Sequence, residues 1–218
     1  LFPYTTLFRS AAEPSLIDRY LVNAGIAGLS ATLLLNKCDL LGNNHTGQFD
    51  QLLKSYELIG YNCLQLSVAQ NRGIDALRQL CQNKTSIVVG QSGVGKSSLI
   101  SALEPNQPIT VGAISEATGF GRHTTSTPRL YHLSSGGDLI DSPGVRQFGL
   151  QVTDPALIGP QFPELHPHLG HCRFRDCNHD QEPGCALQQA VEEGSIDPRR
   201  LQSYLQMISE EPDEASRR

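Results

Sequence analysis

Eight residues, GQSGVGKS from Gly90 to Ser97, constrain this chain more than any other stretch, because their chemistry depends on a strand behind them and a helix ahead. The apolar run Ile87 to Val89 supplies the first and SSLISALE the second. In that setting Gly90, Gly93 and Gly95 let backbone N–H groups turn inward around phosphate oxygens, and the helix N-terminus adds the positive end of its dipole. Lys96 is placed to neutralise the β- and γ-phosphates and Ser97 to ligate Mg²⁺, so Gly90, Gln91, Ser92, Gly93, Val94, Gly95, Lys96, Ser97 and Ser98 form the expected phosphate site. A glycine-rich turn before a helix is the bland alternative; the upstream strand and the Gly-Lys-Ser ending weigh against it.

The same rhythm of strand and helix runs upstream of that loop. SLIDRYLVNAG, closing on Gly25, reads as a helix with a glycine cap, and SATLLLNKCD as a buried strand ending abruptly in polar residues. A helix around Gln48 to Gly60, the short strand YNCLQLSVA and the helix GIDALRQLCQ follow. RLYHLSSGGDLIDSPG adds two strands joined through Ser134 to Gly137. This alternation predicts an α/β domain, a mostly parallel sheet covered on both faces. Beyond Thr153 the composition turns to Pro, His and Cys, so a boundary is expected near Asp154, separating a nucleotide-binding domain over 11–153 from a small helical domain over 154–218. There Asp197 reads as an N-cap with Pro198 at the first helical position.

A chain that is 39% hydrophobic and 18% charged has the composition of a globular protein, and its net charge of -5 excludes coating nucleic acid by bulk electrostatics. No apolar run approaches the ~18 residues that span a bilayer, so no membrane partner is expected. Three of the six cysteines, Cys38, Cys63 and Cys81, sit singly among apolar residues, whereas Cys172, Cys177 and Cys185 cluster beside histidines. Cysteine usage of that kind indicates a reducing, cytoplasmic setting.

A phosphate loop leaves the base open, and Asn36, Lys37, Cys38 and Asp39 address it. NKCD at a strand end is the guanine-specificity pattern: an ionised Asp39 accepts from the N1–H and exocyclic amine of guanine, which adenine does not match. Asn36 suits N7 and neighbouring backbone, and the Lys37 stem can lie along the base. Ser67, Val68 and Ala69 on the next strand read as a small loop whose backbone N–H groups approach the guanine oxygen. Asp141 and Gly144 in DSPG match a pattern in which the aspartate reaches Mg²⁺ through water and the glycine N–H senses the γ-phosphate. In GRHTTS, Thr124 or Thr125 is the switch threonine that closes on the metal, with Thr125 favoured, and His123 is either a water-orienting group or a solvent-exposed histidine. Alone each motif is weak. Their order is the sharper signal, since the base-reading motifs precede the phosphate loop. Such a permutation is physically permitted, because loops at one sheet edge stay in place when the chain break moves. It also makes DSPG lead directly into the C-terminal domain, so motion at the γ-phosphate is expected to move that domain.

Cys172, Cys177, His179 and Cys185 offer three thiolates and one imidazole, a closed set suited to one structural, tetrahedral Zn²⁺, although His166, His168 and His171 lie nearby. Arg173 and Arg175 in this knuckle, with Arg122, Arg129 and Arg146, read either as contacts for RNA phosphate or as solvated surface charge.

NKCD, GQSGVGKSS, GRHTTS, DSPGVRQFG and the cysteine cluster, in that order, resemble the circularly permuted GTPase family RsgA, also called YjeQ, over essentially Ala11 to about Glu210. The resemblance implies hydrolysis of GTP to GDP and phosphate with Mg²⁺, coupled to late maturation of the small (30S) ribosomal subunit. It implies contact with that subunit and its 16S rRNA; the chain is expected to act as a monomer. Within the cluster it assigns only His179 among the histidines. Val145, standing where a water-positioning glutamine follows the glycine in other GTPases, implies slow turnover stimulated by the subunit. A nucleotide-gated RNA- or ribosome-binding module with incidental hydrolysis is the competing expectation. The resemblance also implies an upstream OB-fold and a first strand of the GTPase domain just before Ala11, lying beside the phosphate-loop strand. Leu1 to Ser10 translate one reading frame of a common sequencing-library adaptor and are set aside as non-native, with the natural protein expected to begin further upstream.

Overall fold

The computed structural model describes residues 2–6, 14–40, 46–91, 93–105, 129–141, 154–180 and 182–210. They fall into two compact units. In the first, strands β1 (Phe2–Thr6), β2 (Ala31–Leu35) and β3 (Asn62–Gln65) pair in parallel in the order β1-β2-β3. β4 (Thr85–Val88) pairs in parallel with β6 (Asp138–Asp141), which pairs antiparallel with β5 (Arg129–His132). β1 also runs beside β4, bringing the two sets of strands together. The segment set aside in the sequence reading thus takes the place implied for an absent strand, between the phosphate-loop strand and β2. The physical reason is that β2, buried through Leu35, would otherwise leave a row of peptide groups without partners in the middle of a sheet.

Helices α2 (Thr46–Leu58), α3 (Ile74–Cys81) and α4 (Lys96–Leu103) complete this unit. Its core joins Leu34 of β2 and Leu66 just after β3 to Val88, Leu99, Ile100 and Leu139, together with Ile74, Leu77 and Cys81 of α3. The strand ends coincide: Leu35 stands opposite both Thr6 and Gln65, and Val88 opposite Asp141. Consequently the segments that leave β2, β3, β4 and β6 all depart at carboxyl ends of strands, where an α/β sheet opens its ligand crevice.

The second unit does not follow the linear boundary expected at Asp154. It joins α1 (Pro14–Ile26) to the C-terminal residues, including α5 (Ala186–Glu192) and α6 (Pro198–Ser209). Two interactions explain why. Val22 and Ile26 of α1 pack with Ile158, Phe162, Leu165, Leu187, Leu201, Tyr204 and Met207 in a second core. Fully buried Asp18 of α1 also accepts from Arg200 at 2.6 Å and from Arg199 at 3.2 Å. The Arg200 fork simultaneously holds Glu164 through Nε at 2.6 Å and Nη2 at 3.2 Å, and its carbon centre lies 4.4 Å from the centroid of the Phe162 ring. A planar five-donor cation fits such a two-carboxylate clamp where an ammonium would not.

Gly25 is not the cap expected of it. α1 continues to Ile26 with Gly25 inside it, and Gly28 takes the left-handed turn at φ +67; the end of the Gln161 side chain lies against Gly25. The other end of the unit is as the sequence indicates: Asp197 caps α6 by accepting from the Arg199 N–H at 2.9 Å, with Pro198 in the first turn. No helix among the described residues is long and apolar enough to cross a membrane.

Removing the guanidinium leaves Glu164 without its cation and Asp18 with Arg199 as its remaining arginine, so Arg200→Ala is expected to destabilise the second unit by about 3–5 kcal/mol. Arg200→Lys should recover only part of this, because it keeps the charge and loses the fork. Urea unfolding followed by circular dichroism measures both; an Arg200→Ala midpoint equal to the parent's would show the clamp to be dispensable.

Candidate functional site

At the end of β4 the chain enters the glycine loop, and the approach of the NKCD segment defines its geometry. Gly95 has φ +90, and a Cβ on it would stand 2.6 Å from Asn36 Nδ2. Glycine is required there twice over, for the left-handed backbone and for contact with the other motif. Asn36, 1% exposed, donates from Nδ2 to the Val94 carbonyl at 3.3 Å, while its Oδ1 accepts from the Lys37 N–H at 2.8 Å. Lys37 Nζ donates to the Gly93 carbonyl at 3.4 Å. Two motifs almost sixty residues apart in sequence are therefore one hydrogen-bonded assembly, as the sequence reading of a shared site requires.

Lys37 sits at φ +61, a conformation that costs a non-glycine residue on the order of 1–3 kcal/mol and is kept where the surroundings enforce it. The described residues contain four such positions; Asn71 and Asn83 are asparagines, which tolerate it, and the other two, Lys37 and His179, lie in the two candidate sites.

Asp39 follows in a single 3-10 turn, Cys38–Leu40. Its Oδ1 accepts from the Ser67 hydroxyl, which in turn accepts from the Gln70 N–H at 3.2 Å. Ser67 contributes its hydroxyl rather than its own backbone N–H. Its own N–H donates to the Arg72 carbonyl at 2.9 Å and the Arg72 N–H returns the bond at 2.9 Å, so the amide is committed to closing the loop while the hydroxyl orients the carboxylate. Val68 is half-buried against the core and Ala69 is exposed. Cys38 also departs from the ligand-facing set, since its Sγ turns to the Leu35 carbonyl at 3.1 Å and burial raises its pKa.

On the phosphate side Lys96 is 9% exposed and donates to the Gly90 carbonyl at 2.6 Å and the Gln91 carbonyl at 2.9 Å. Burial lowers its pKa and the nearby Asp141 opposes that shift. Asp141 shows the mirror image, raised by burial and lowered by Lys96 and Arg129. Its Oδ1 is buried and has no hydrogen-bond partner among the described residues. An orphaned carboxylate oxygen at the strand end beside the glycine loop is a donor that would suit hydrated Mg²⁺. Ser97 and Ser98 follow Lys96 in the first turn of α4, both half-buried. Ser92, His123, Thr124, Thr125 and Gly144, with Arg122, Val145 and Arg146, lie outside the described residues.

In the second unit Cys172, Cys177, His179 and Cys185 place their ligand atoms within 4.8 Å of one another. The separations of Cys172 Sγ from His179 Nδ1 and Cys185 Sγ are 3.4 and 3.9 Å, and Cys185 Sγ lies 3.5 Å from Nδ1. Bond lengths of about 2.3 Å to sulfur and about 2.0 Å to nitrogen give tetrahedron edges of roughly this size, so the cluster could hold one metal ion. Burial lowers the His179 pKa against the opposing charge of Glu182, favouring the neutral ring a ligand needs. Surrounding bonds fix the set: the Ala186 N–H at the start of α5 donates to Cys172 Sγ at 3.4 Å, and Gln188 Nε2 donates to the His179 carbonyl at 2.7 Å. His166 is engaged elsewhere, its Nε2 lying 2.6 Å from the Pro160 carbonyl.

Sequence reasoning missed the Ser67 hydroxyl, the Arg72 bridge, the left-handed Lys37 and the Gln188 support. Each depends on which atom faces which partner, and no spacing rule reports that.

A family model described as RsgA GTPase matches residues 5–151. The chain is 48% identical over 209 residues to the small ribosomal subunit biogenesis GTPase RsgA of Azotobacter vinelandii, covering 95% of this chain and 61% of that protein. It is 49% identical over 201 residues to the protein of the same name from Hahella chejuensis, covering 90% and 58%. The chain thus spans about three-fifths of the length of these curated relatives. Among solved structures, YjeQ from Thermotoga maritima superimposes with a TM-score of 0.76 at 29% identity, over 95% of this chain and 69% of that one. YloQ, described as a circularly permuted GTPase, gives 0.73 at 26% identity over 95% and 66%. The fold is accordingly the α/β, circularly permuted GTPase fold expected from the motif order.

Gly95→Ala should strain the loop and push on Asn36, weakening binding of fluorescent GDP roughly 5- to 150-fold for a cost of about 1–3 kcal/mol. Unchanged affinity in a fluorescence titration would show that the contact does not shape the site. For the cluster, elemental analysis should find one metal ion per chain, and stripping it with a strong chelator should abolish the cooperative unfolding of the second unit in calorimetry.

Proposed function

We propose, from the premise that this chain belongs to the RsgA GTPase family, that it binds GTP with Mg²⁺, hydrolyses it to GDP and phosphate, and couples that cycle to late maturation of the small ribosomal subunit. The observation that carries the reading is the assembly of Asn36 and Lys37 onto the Gly93–Val94–Gly95 backbone, with Asp39 beside them oriented by Ser67. This supports the reading, because the carboxylate proposed to select guanine and the loop proposed to take phosphate are joined at one sheet edge.

In this reading Asp39 selects the base by accepting from N1–H and the exocyclic amine, and Asn36 ties that selection to the phosphate loop. Loop N–H groups and the α4 N-terminus receive the phosphates. Lys96, withdrawn from water, exchanges its two carbonyl partners for phosphate oxygens, an interaction strengthened by the low local dielectric. Ser97, Asp141 and Thr125 would hold Mg²⁺, which when bound neutralises charge developing on the transferred phosphoryl group. Gly144 and His123 are assigned to sensing the γ-phosphate and orienting water.

The cysteine–histidine cluster is proposed to hold one Zn²⁺ in a structural role, because all four donors are protein side chains and three are thiols. A cytoplasmic, monomeric protein acting on 16S rRNA is part of the same proposal.

Asp39→Asn should shift preference from guanine toward xanthine nucleotides, read by competition against fluorescent GDP; retained guanine selectivity would remove Asp39 from the base site. Single-turnover hydrolysis should accelerate when purified small subunits are added. No acceleration would favour the module in which nucleotide gates binding and hydrolysis is incidental.

A further inference from the structure

The loop between the first two cysteines of the cluster carries Arg173, Phe174, Arg175 and Asp176. Phe174 is 45% exposed, and among the described residues it is the aromatic member of a small group of large apolar side chains left at the surface. The guanidinium of Arg173 lies over its ring, 5.5 Å from the centroid. The loop is held at both ends by cluster residues, Cys172 and Cys177. Between them, the Arg173 N–H donates to the Gly184 carbonyl at 3.0 Å, and Gly184 approaches so closely that a Cβ there would stand 3.0 Å from Arg173 Cβ.

An aromatic ring on a loop whose two ends belong to the cysteine–histidine cluster, with a cation against it and a second arginine beyond it, stands out in a chain of net charge -5. An aliphatic surface would leave both arginines without counter-charge, and an acidic peptide would engage the arginines while offering the ring nothing to stack on. A nucleotide supplies both, a π-face for the ring and phosphates for the flanking cations. We propose that Arg173, Phe174 and Arg175 form a stacking platform for an unpaired base of single-stranded RNA, with the neighbouring phosphates held by the two guanidinium groups. The choice of RNA as occupant rests on the ribosomal role proposed above. Stacking tolerates any base, so the platform recognises an exposed, unpaired strand rather than a sequence.

The test uses the full chain, with its metal, and a short fluorescein-labelled oligoadenylate followed by anisotropy. Phe174→Ala is expected to weaken binding at least about fivefold, the loss of one base–aromatic stack, while Phe174→Trp retains it. Arg173→Ala and Arg175→Ala should each lower the slope of log affinity against log salt by about 0.7. Metal content and fluorescent-GDP binding should be unchanged in all four variants, which separates a platform defect from unfolding. The proposal is overturned if the parent shows no binding, if Phe174→Ala binds within twofold of the parent, if Phe174→Trp is as weak as Phe174→Ala, or if polyglutamate of equal charge displaces the probe as well as unlabelled oligoadenylate does. Failure of the parent to bind GDP would instead count against the nucleotide reading, leaving the RNA measurements to judge the platform.

Discussion

The first unit depends on the contact between Asn36 and Gly95, a buried amide pressed against a residue that has no side chain. Because Gly95 carries only hydrogen, the end of β2 reaches the turn into α4, and the Asn36 amide spans the gap to the Val94 carbonyl. The strained Lys37, the turn carrying Asp39 and the Ser67 hydroxyl all follow from where that amide is anchored. The proposed base-reading and phosphate-binding segments are thereby joined by direct hydrogen bonds, an arrangement that lowers the ordering cost of binding a ligand across both.

The second unit solves a different problem, that of a small core with little apolar area to spare. Its core is joined by two polar devices. The cluster of Cys172, Cys177, His179 and Cys185 gathers a turn-rich segment and the start of α5 about one point, and Arg200 clamps Asp18 of α1 and Glu164 onto α6. Tyr204 lies between the devices, with its ring centroid 5.6 Å from that of Phe162 and 6.2 Å from that of His179. The chain passes between the two units three times, before α1, between α1 and β2, and after β6, so both β2, with its NKCD turn, and β6, with Asp141, are covalently linked to the second unit. The sequence reading saw only the link after β6.

Much of this was legible in advance because glycine loops, capping residues and apolar runs act locally. The strand–loop–helix around Gly90 to Ser97, the Asp197 cap of α6 and the Ser134–Gly137 turn between β5 and β6 are readable for that reason. The misreadings have the opposite character. Gly25 looks like a helix cap until α1 is seen to run on to Ile26, with Gly28 making the left-handed turn, and the hydroxyl of Ser67 has a role, orienting Asp39, that the pattern did not announce. Phe2–Thr6, set aside on the origin of its codons, forms a strand because β2 presents a partner.

Motif order, the guanine-type tetrapeptide, the phosphate loop and the four metal-ligand candidates were fixed by residue type and spacing, since each is chemistry that a short segment carries by itself. Tertiary structure alone decided which side-chain atoms meet: the Asn36 amide on the loop, the Ser67 hydroxyl on Asp39, the Arg200 fork on two distant carboxylates, and the allegiance of α1 to the C-terminal unit. Those outcomes depend on side-chain direction and on contacts between residues as far apart as Asp18 and Arg200. Directions of that kind are set by packing, after local preferences have been satisfied.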